Sequence, residues 1–260
     1  MKLPPLIHRW PRTPRQAIAL QTKLAERIVR VGGVADLRLA AGADVAFSAD
    51  KTTCIAGVIV WDVQAKKVVE QCVVRAPVRF PYVPGLLTFR ETPAVLAAIR
   101  QIKSRPDVFL FDGQGIAHPR RIGFAAHTGL VLDQPSIGCA KSRLIGEHDE
   151  PGPLKGDSSP LVDREEIVGA VLRTRDNVKP LFVSIGHRIE LVEATRIVLA
   201  CCDRCRVPEP TRLADILVAR AKSAYSSGGR LAEREGLTRI GTPRPPTLGR
   251  QRPRVTSRTP

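Results

Sequence analysis

Apolar residues in the first third of the chain recur with two different periods, and the change of period marks a change of secondary structure. Ala17, Leu20, Leu24, Ile28 and Val31 follow at three- and four-residue intervals, the spacing that lines one side of an α-helix. Thr13-Pro14-Arg15-Gln16 supplies its start: a hydroxyl to cap free amides, proline where a missing N–H costs nothing, and glutamine as the reciprocal cap. Three strand-like runs come next, Leu37–Phe47, Thr53–Trp61 and Lys67–Val78, joined by short polar links that suit antiparallel hairpins. Phe80–Phe89 reads as a loop punctuated by proline and glycine. Thr92 and Pro93 then predict the N-cap and first residue of a helix reaching Ile102.

From there strands and helices alternate. Val108–Asp112 is a short apolar run opening into a glycine-rich loop, followed by a helix near Arg121–Leu132 and a strand Ser136–Ala140. Strands Ile167–Leu172 and Leu181–Ser184 and helices over about Glu190–Cys202 and Arg212–Ser223 complete the pattern. Hairpins first and β/α alternation afterwards predict an α/β fold, a mixed sheet with helices on its faces. Residues 1–223 form one expected domain. Residues 224–260 are rich in Arg, Pro, Gly, Ser and Thr, and are expected to be a disordered basic tail.

Charge narrows the partner. The 260 residues carry a net +16, and eight arginines against two glutamates put +6 of it in the tail. The preceding domain is therefore basic too, and a polyanion such as nucleic acid is the expected partner. There is no run of 18 apolar residues to span a membrane and no apolar stretch near the N-terminus resembling a secretory signal. A cytoplasmic protein is expected, with its six cysteines as buried thiols rather than disulfides. Cys202-Asp203-Arg204-Cys205 is a lone CxxC without the second pair that a zinc site needs.

Three acids stand where desolvation is costly: Asp44 inside a strand run, Glu91 just before a predicted helix, and Asp112 closing an apolar strand. Capping or pairing with arginine would satisfy each singly. Together on one sheet they argue for a divalent cation and metal-assisted phosphodiester hydrolysis. Asp112-Gly113-Gln114-Gly115-Ile116-Ala117-His118-Pro119-Arg120 lets backbone approach a ligand and brings a histidine and arginines near a phosphate. Lys141 leaves a strand where it could offset developing charge. Pro81-Tyr82-Val83-Pro84 stiffens a loop around one of two tyrosines, which is either a wedge between bases or a residue packed on the core.

With these segments in view, the chain resembles the endonuclease V family over roughly residues 5–220. The matching stretches are AGADVAF, FPYVPGLLTFRETP, PDVFLFDGQGIAHPRRIGFAAHTGL, PSIGCAKSRLIGE, IVGAVLRTR, KPLFVSIGHRI and PEPTRLAD. The resemblance implies an RNase H-like fold, Mg²⁺ (with Mn²⁺ as substitute), and cutting of the second phosphodiester bond 3′ to a deaminated purine in DNA. It assigns metal binding to Asp44, Glu91, Asp112 and Asp215, and adds Lys141 to the catalytic set. It assigns substrate contact to Tyr82, Pro84, Gly85, Leu87, Gly113, His118, Gly123 and Leu144, with Tyr82 as the strand-separating wedge. His187 falls in a shared motif without an implied role. Thr92, Ile185 and Ala43 stand where the family usually has Gly, Pro and Val. A monomer is expected. Two other readings remain: an endoribonuclease on inosine-containing RNA, and a non-catalytic basic protein that only binds nucleic acid.

Overall fold

The computed structural model describes residues 1–226. The expectation of a disordered tail falls largely on residues 227–260, which lie outside the described residues.

Helix α1 (Pro14–Ala25) begins as the sequence predicts: Thr13 caps it by accepting from the Gln16 amide at 3.3 Å. It ends six residues before Val31, which is 65% exposed. Beyond it the chain passes the segment His187–Arg188, where the Val29 carbonyl accepts from the Arg188 amide and the Val29 amide donates to Nδ1 of the His187 ring. The three predicted strands appear as β1 (Leu39–Phe47), β2 (Thr53–Asp62) and β3 (Lys67–Pro77), paired antiparallel.

Helix α2 (Leu87–Gln101) starts well before the predicted position, and this is a correction. Thr92 is fully buried inside the helix instead of capping it, and Glu91 lies within the helix rather than ahead of it. The reason is a polar chain buried in the core. The Thr88, Thr92 and Thr128 hydroxyls link at 2.9 Å steps, and Thr88 meets Nδ1 of His127 at 2.7 Å. Thr92 therefore has a partner inside the helix and need not cap it.

The remaining elements are β4 (Val108–Phe111), α3 (Phe124–Leu132), β5 (Ser136–Ala140), β6 (Ser158–Asp163), β7 (Glu166–Leu172), β8 (Leu181–His187), α4 (Leu191–Cys201) and α5 (Glu209–Ser226). Helix α5 extends three residues past the expected domain end at 223. Strand β6 is absent from the sequence reading. It is a polar run containing Pro160 at the sheet edge, where a missing N–H is tolerated. All eight strands form one mixed sheet, ordered β3-β2-β1-β4-β5-β8-β7-β6, with β1, β4 and β5 parallel at its centre. This is the RNase H-like mixed sheet flanked by helices that the resemblance implies. No helix among the described residues is long and apolar enough to cross a membrane.

Alternation within β1 divides its residues between two helices. Ala41 and Ala43 pack with α2, along with Phe109 and Phe111 of β4. On the reverse face Gly42 lies directly beneath the start of α5. A Cβ there would stand 2.2 Å from the Pro210 carbonyl carbon and 2.4 Å from the Thr211 nitrogen, both backbone atoms that cannot step aside. Across the ladder, Gly57 pairs with Asp44 and lies under Val218 of α5. Two glycines thus let α5 settle on the sheet. Gly42→Ala is expected to lift the helix, costing about 1–3 kcal/mol by overpacking. A thermal melt should show the loss as roughly 2–4 °C per kcal/mol; an unchanged melting temperature would contradict this packing.

Candidate active site

Three neighbouring parallel strands deliver charged side chains to the same edge of the sheet. Asp44 lies in β1, Asp112 follows β4, and Lys141 follows β5. The carboxyl ends of parallel strands are where α/β sheets place their ligand crevices. Asp44 shares the α5 side with Gly42, and Asp215 stands one helical turn beyond Thr211, the residue seated over that glycine. Glu91 arrives from α2.

These groups act on one another. Burial pushes the Asp44 carboxyl up to about 7; the Val45 amide is the strongest opposition, the nearby Asp215 and Asp112 add to the rise, and Lys141 opposes it least. Burial, then Asp44, pushes Glu91 up to about 8, with Arg90 opposing. Lys141 places Nζ 2.5 Å from Oδ2 of Asp112, and this bond raises its own pKa, so the ammonium stays charged.

Four carboxylates and one lysine leave an excess of negative charge. Among the described residues no three His, Cys, Asp or Glu groups converge closely enough to hold an ion as their side chains stand. The donor set nevertheless fits a hard divalent cation, because every candidate ligand is a carboxylate oxygen. The Cys54 thiol nearby is pushed up to about 12 by burial and Glu91, which leaves it protonated and a poor ligand.

The loop carrying Tyr82 is held from beneath. Gly85, at φ +75°, turns a carbonyl inward that accepts from Gln21 Nε2 at 3.1 Å, His118 Nε2 at 3.1 Å and Arg120 Nη2 at 2.9 Å. His118 accepts at Nδ1 from the Arg120 amide, which assigns the proton to Nε2. Burial and Arg120 lower its pKa to about 4, so the ring is neutral. Above this anchor Tyr82 is 69% exposed and Pro84 is exposed, while Leu87 opens α2.

The glycine-rich loop turns out to be tight for internal reasons. A Cβ on Gly115 would meet the Ile185 carbonyl oxygen at 2.0 Å, and one on Gly123 the Gln114 carbonyl oxygen at 2.4 Å. The Gly123 amide already donates to Gly115, so it is not free to read a base. Gly113 remains half-buried beside Asp112, and Leu144 is 49% exposed beyond Lys141. The His118 ring and the Gly123 amide are thus both engaged in bonds within the protein. His187 is structural as well, bridging the Val29 amide and Asp133.

Sequence reasoning missed two supports of the Lys141 turn. Arg206 donates to the Lys141 carbonyl at 2.8 Å and to that of Pro180 at 2.7 Å. Gln114 Nε2 donates to the Ser142 carbonyl at 3.0 Å. Gln114 carried a signal in its place between two glycines, whereas Arg206 had none. The cysteines are free thiols and all but Cys205 are buried. Cys139 and His127 are both fully buried, and His127 is bonded to His8 and Thr88.

Comparison with known proteins follows the same outline. The sequence profile of the endonuclease V family matches residues 22–216. Endonuclease V of Nostoc punctiforme is 47% identical over 213 residues, covering 82% of this chain and 96% of the relative. The crystal structure of endonuclease V from Streptomyces avermitilis superposes with a TM-score of 0.79 at 39% identity, covering 84% of this chain and 96% of that one. Endonuclease V of Ciona intestinalis, solved with a 24-mer DNA containing an inosine followed by a ribo-adenosine, superposes with a TM-score of 0.73 at 26% identity; the match covers 81% of this chain and 98% of that one.

The raised carboxyls link the site to stability. Asp44 and Glu91 favour the folded state below their unfolded pKa values near 4, and that contribution is lost as pH rises through about 7 and about 8. In chelator, Asp44→Asn is expected to raise the melting temperature at pH 9 and to change it little at pH 5. Equal effects at both pH values would contradict the charge repulsion.

Proposed function

The chain belongs to the endonuclease V family of metal-dependent nucleases acting on DNA, and on that premise we propose that it recognises deoxyinosine and cuts the second phosphodiester bond on its 3′ side. The supporting observation is the gathering of Asp44, Glu91, Asp112 and Asp215 around Lys141 where β1, β4 and β5 end. Their oxygen-only chemistry suits Mg²⁺, with Mn²⁺ as substitute. When bound, such an ion lowers the pKa of a coordinated water and neutralises charge on the scissile phosphate.

The chain's own groups do the rest. Asp44, Glu91, Asp112 and Asp215 would hold the ion. Lys141, protonated beside Asp112, offsets charge that accumulates on the phosphate oxygens. Tyr82, projecting from a loop pinned at Gly85, fills the gap as strands part; removing a base from its stack costs a few kcal/mol, least in an unstable pair. Gly113, Pro84, Leu87 and Leu144 border the space for the displaced base. His118 and Gly123 act as positioning residues, one holding the wedge loop and the other closing the glycine-rich turn.

The same reading takes the chain as a cytoplasmic monomer. Its catalytic unit runs to the end of α5. A ribo-adenosine after the inosine in the DNA bound to the Ciona relative favours testing an RNA bond as well.

An end-labelled duplex with a single inosine tests the proposal. With Mg²⁺ the wild type should leave a nick one nucleotide beyond the lesion on its 3′ side, and chelator should abolish it. Asp112→Ala should reduce cutting by at least about 10³-fold, on the scale of lost electrostatic and metal stabilisation, while retaining inosine-DNA binding. Normal cleavage by that variant would overturn the assignment. A matched strand with ribose after the inosine decides between DNA and RNA bonds. His118→Ala should slow duplex cutting more than cutting of the same lesion in single-stranded DNA, because only the duplex needs a wedge; equal slowing would remove His118 from that role.

A further inference from the structure

Helix α2 turns Glu91 toward the acids and its sequence neighbour Arg90 toward a separate cavity of about 920 Å³. The N-terminal segment, the start of β2, the end of β3, α2 and the last turn of α5 enclose it. Successive Cα atoms are about 3.8 Å apart, so cavity and acids share one helix as a wall.

Four arginines line it: Arg75, Arg79, Arg90 and Arg100. Among the described residues no Asp or Glu joins them, and none of the four makes an ion pair. Two are fixed by other means. Arg90 donates to the Phe80 carbonyl at 2.9 Å and lies 4.5 Å over the Phe47 ring, while Arg75 lies 4.9 Å over Tyr225. Arg79 and Arg100 are exposed. Between the guanidinium groups the lining is apolar, with buried Phe80 and Phe89 beneath and Trp10 the partly exposed aromatic face. Phe80 also begins the loop that carries Tyr82 two residues later.

Like charges concentrated around an apolar floor call for an anion with a flat, apolar face. The chain's own C-terminal residues are a poor occupant, since they carry a net +6. A duplex hides its base faces, whereas unpaired nucleotides offer phosphates for guanidinium forks and bases for stacking. The geometry points to this cavity as a binding site for single-stranded DNA, taking nucleotides unpaired beside the cut. The inference rests on the reading of the chain as an endonuclease that separates strands at Tyr82.

Trp10 gives the site its own signal, because the chain has two tryptophans and the other, Trp61, is buried in β2. The full chain carrying Trp61→Phe is titrated in chelator with labelled, undamaged oligothymidylate. Oligonucleotide anisotropy and Trp10 emission are followed together. Saturable quenching of Trp10 that tracks anisotropy is expected. Arg79→Ala/Arg100→Ala, measured with and without the Trp61 replacement, should weaken binding about 5- to 10-fold. It should also flatten the salt dependence by about 1.4, at roughly 0.7 per lost phosphate contact on a single strand. Binding with unchanged Trp10 emission, no binding, or an unaltered salt slope in the double variant would each overturn the site. Cutting of inosine DNA is read separately. A protein that cuts while Trp10 stays silent retains the endonuclease reading and loses the cavity. One that quenches without cutting does the reverse.

Discussion

Carboxylates withdrawn from water repel one another, and the arrangement of this protein follows from how that repulsion is imposed and left unrelieved. Burial and mutual proximity together lift Asp44 to about 7 and Glu91 to about 8. A fold selected for stability alone would replace such a cluster or pair each acid, since an uncompensated buried charge costs several kcal/mol. Here Lys141 leans on Asp112 and Arg90 acts on Glu91, yet Asp44 and Glu91 stay raised. The strain is a standing demand for positive charge, which a divalent cation and the passage of a phosphate through the site would both exploit.

Other parts of the architecture hold that repulsion in place. Gly42 and Gly57 permit α5 to lie against β1 and β2, which brings Asp215 close enough to influence Asp44. The buried threonine chain carries α2 back through Leu87 and sets Glu91 within a helix instead of on a flexible approach. Three donors on one carbonyl fix Gly85, so the exposed Tyr82 projects from a stiff base. Arg206 and Gln114 hold the turn that follows β5, keeping Lys141 opposite Asp112. Each is a short-range interaction whose effect is to preserve a longer-range charge arrangement.

Much of this was legible in the residues. The β-branched runs of β2 and β3 and the apolar runs of β1, β4 and β5 declare themselves in the pattern, and acids in or at the ends of strands are costly enough to attract notice. Less was legible where tertiary partners outweigh local signals. Thr92 reads as a cap until its partners Thr88 and Thr128 are known, and Val31 continues a helical rhythm that the bonds of Val29 to Arg188 and the His187 ring interrupt. Pro160 conceals an edge strand. His118 reads as a ligand group, but its partner Gly85 lies 33 residues away, and no sequence spacing reveals that contact. The tight glycine turn at Gly123 is likewise set by the neighbouring Gln114 and Gly115 carbonyls, which no sequence spacing reveals.

Whether the strained acids form a cation site can be measured without substrate. Manganese added to the full chain should be followed by electron paramagnetic resonance, which reads the free aqueous ion. The account predicts saturable uptake at the Asp44–Asp112 edge that the Asp44→Asn/Asp112→Asn variant loses while its fold, read by circular dichroism, is unchanged. Equal uptake by the wild type and this variant would contradict the claim that these carboxylates bind the metal.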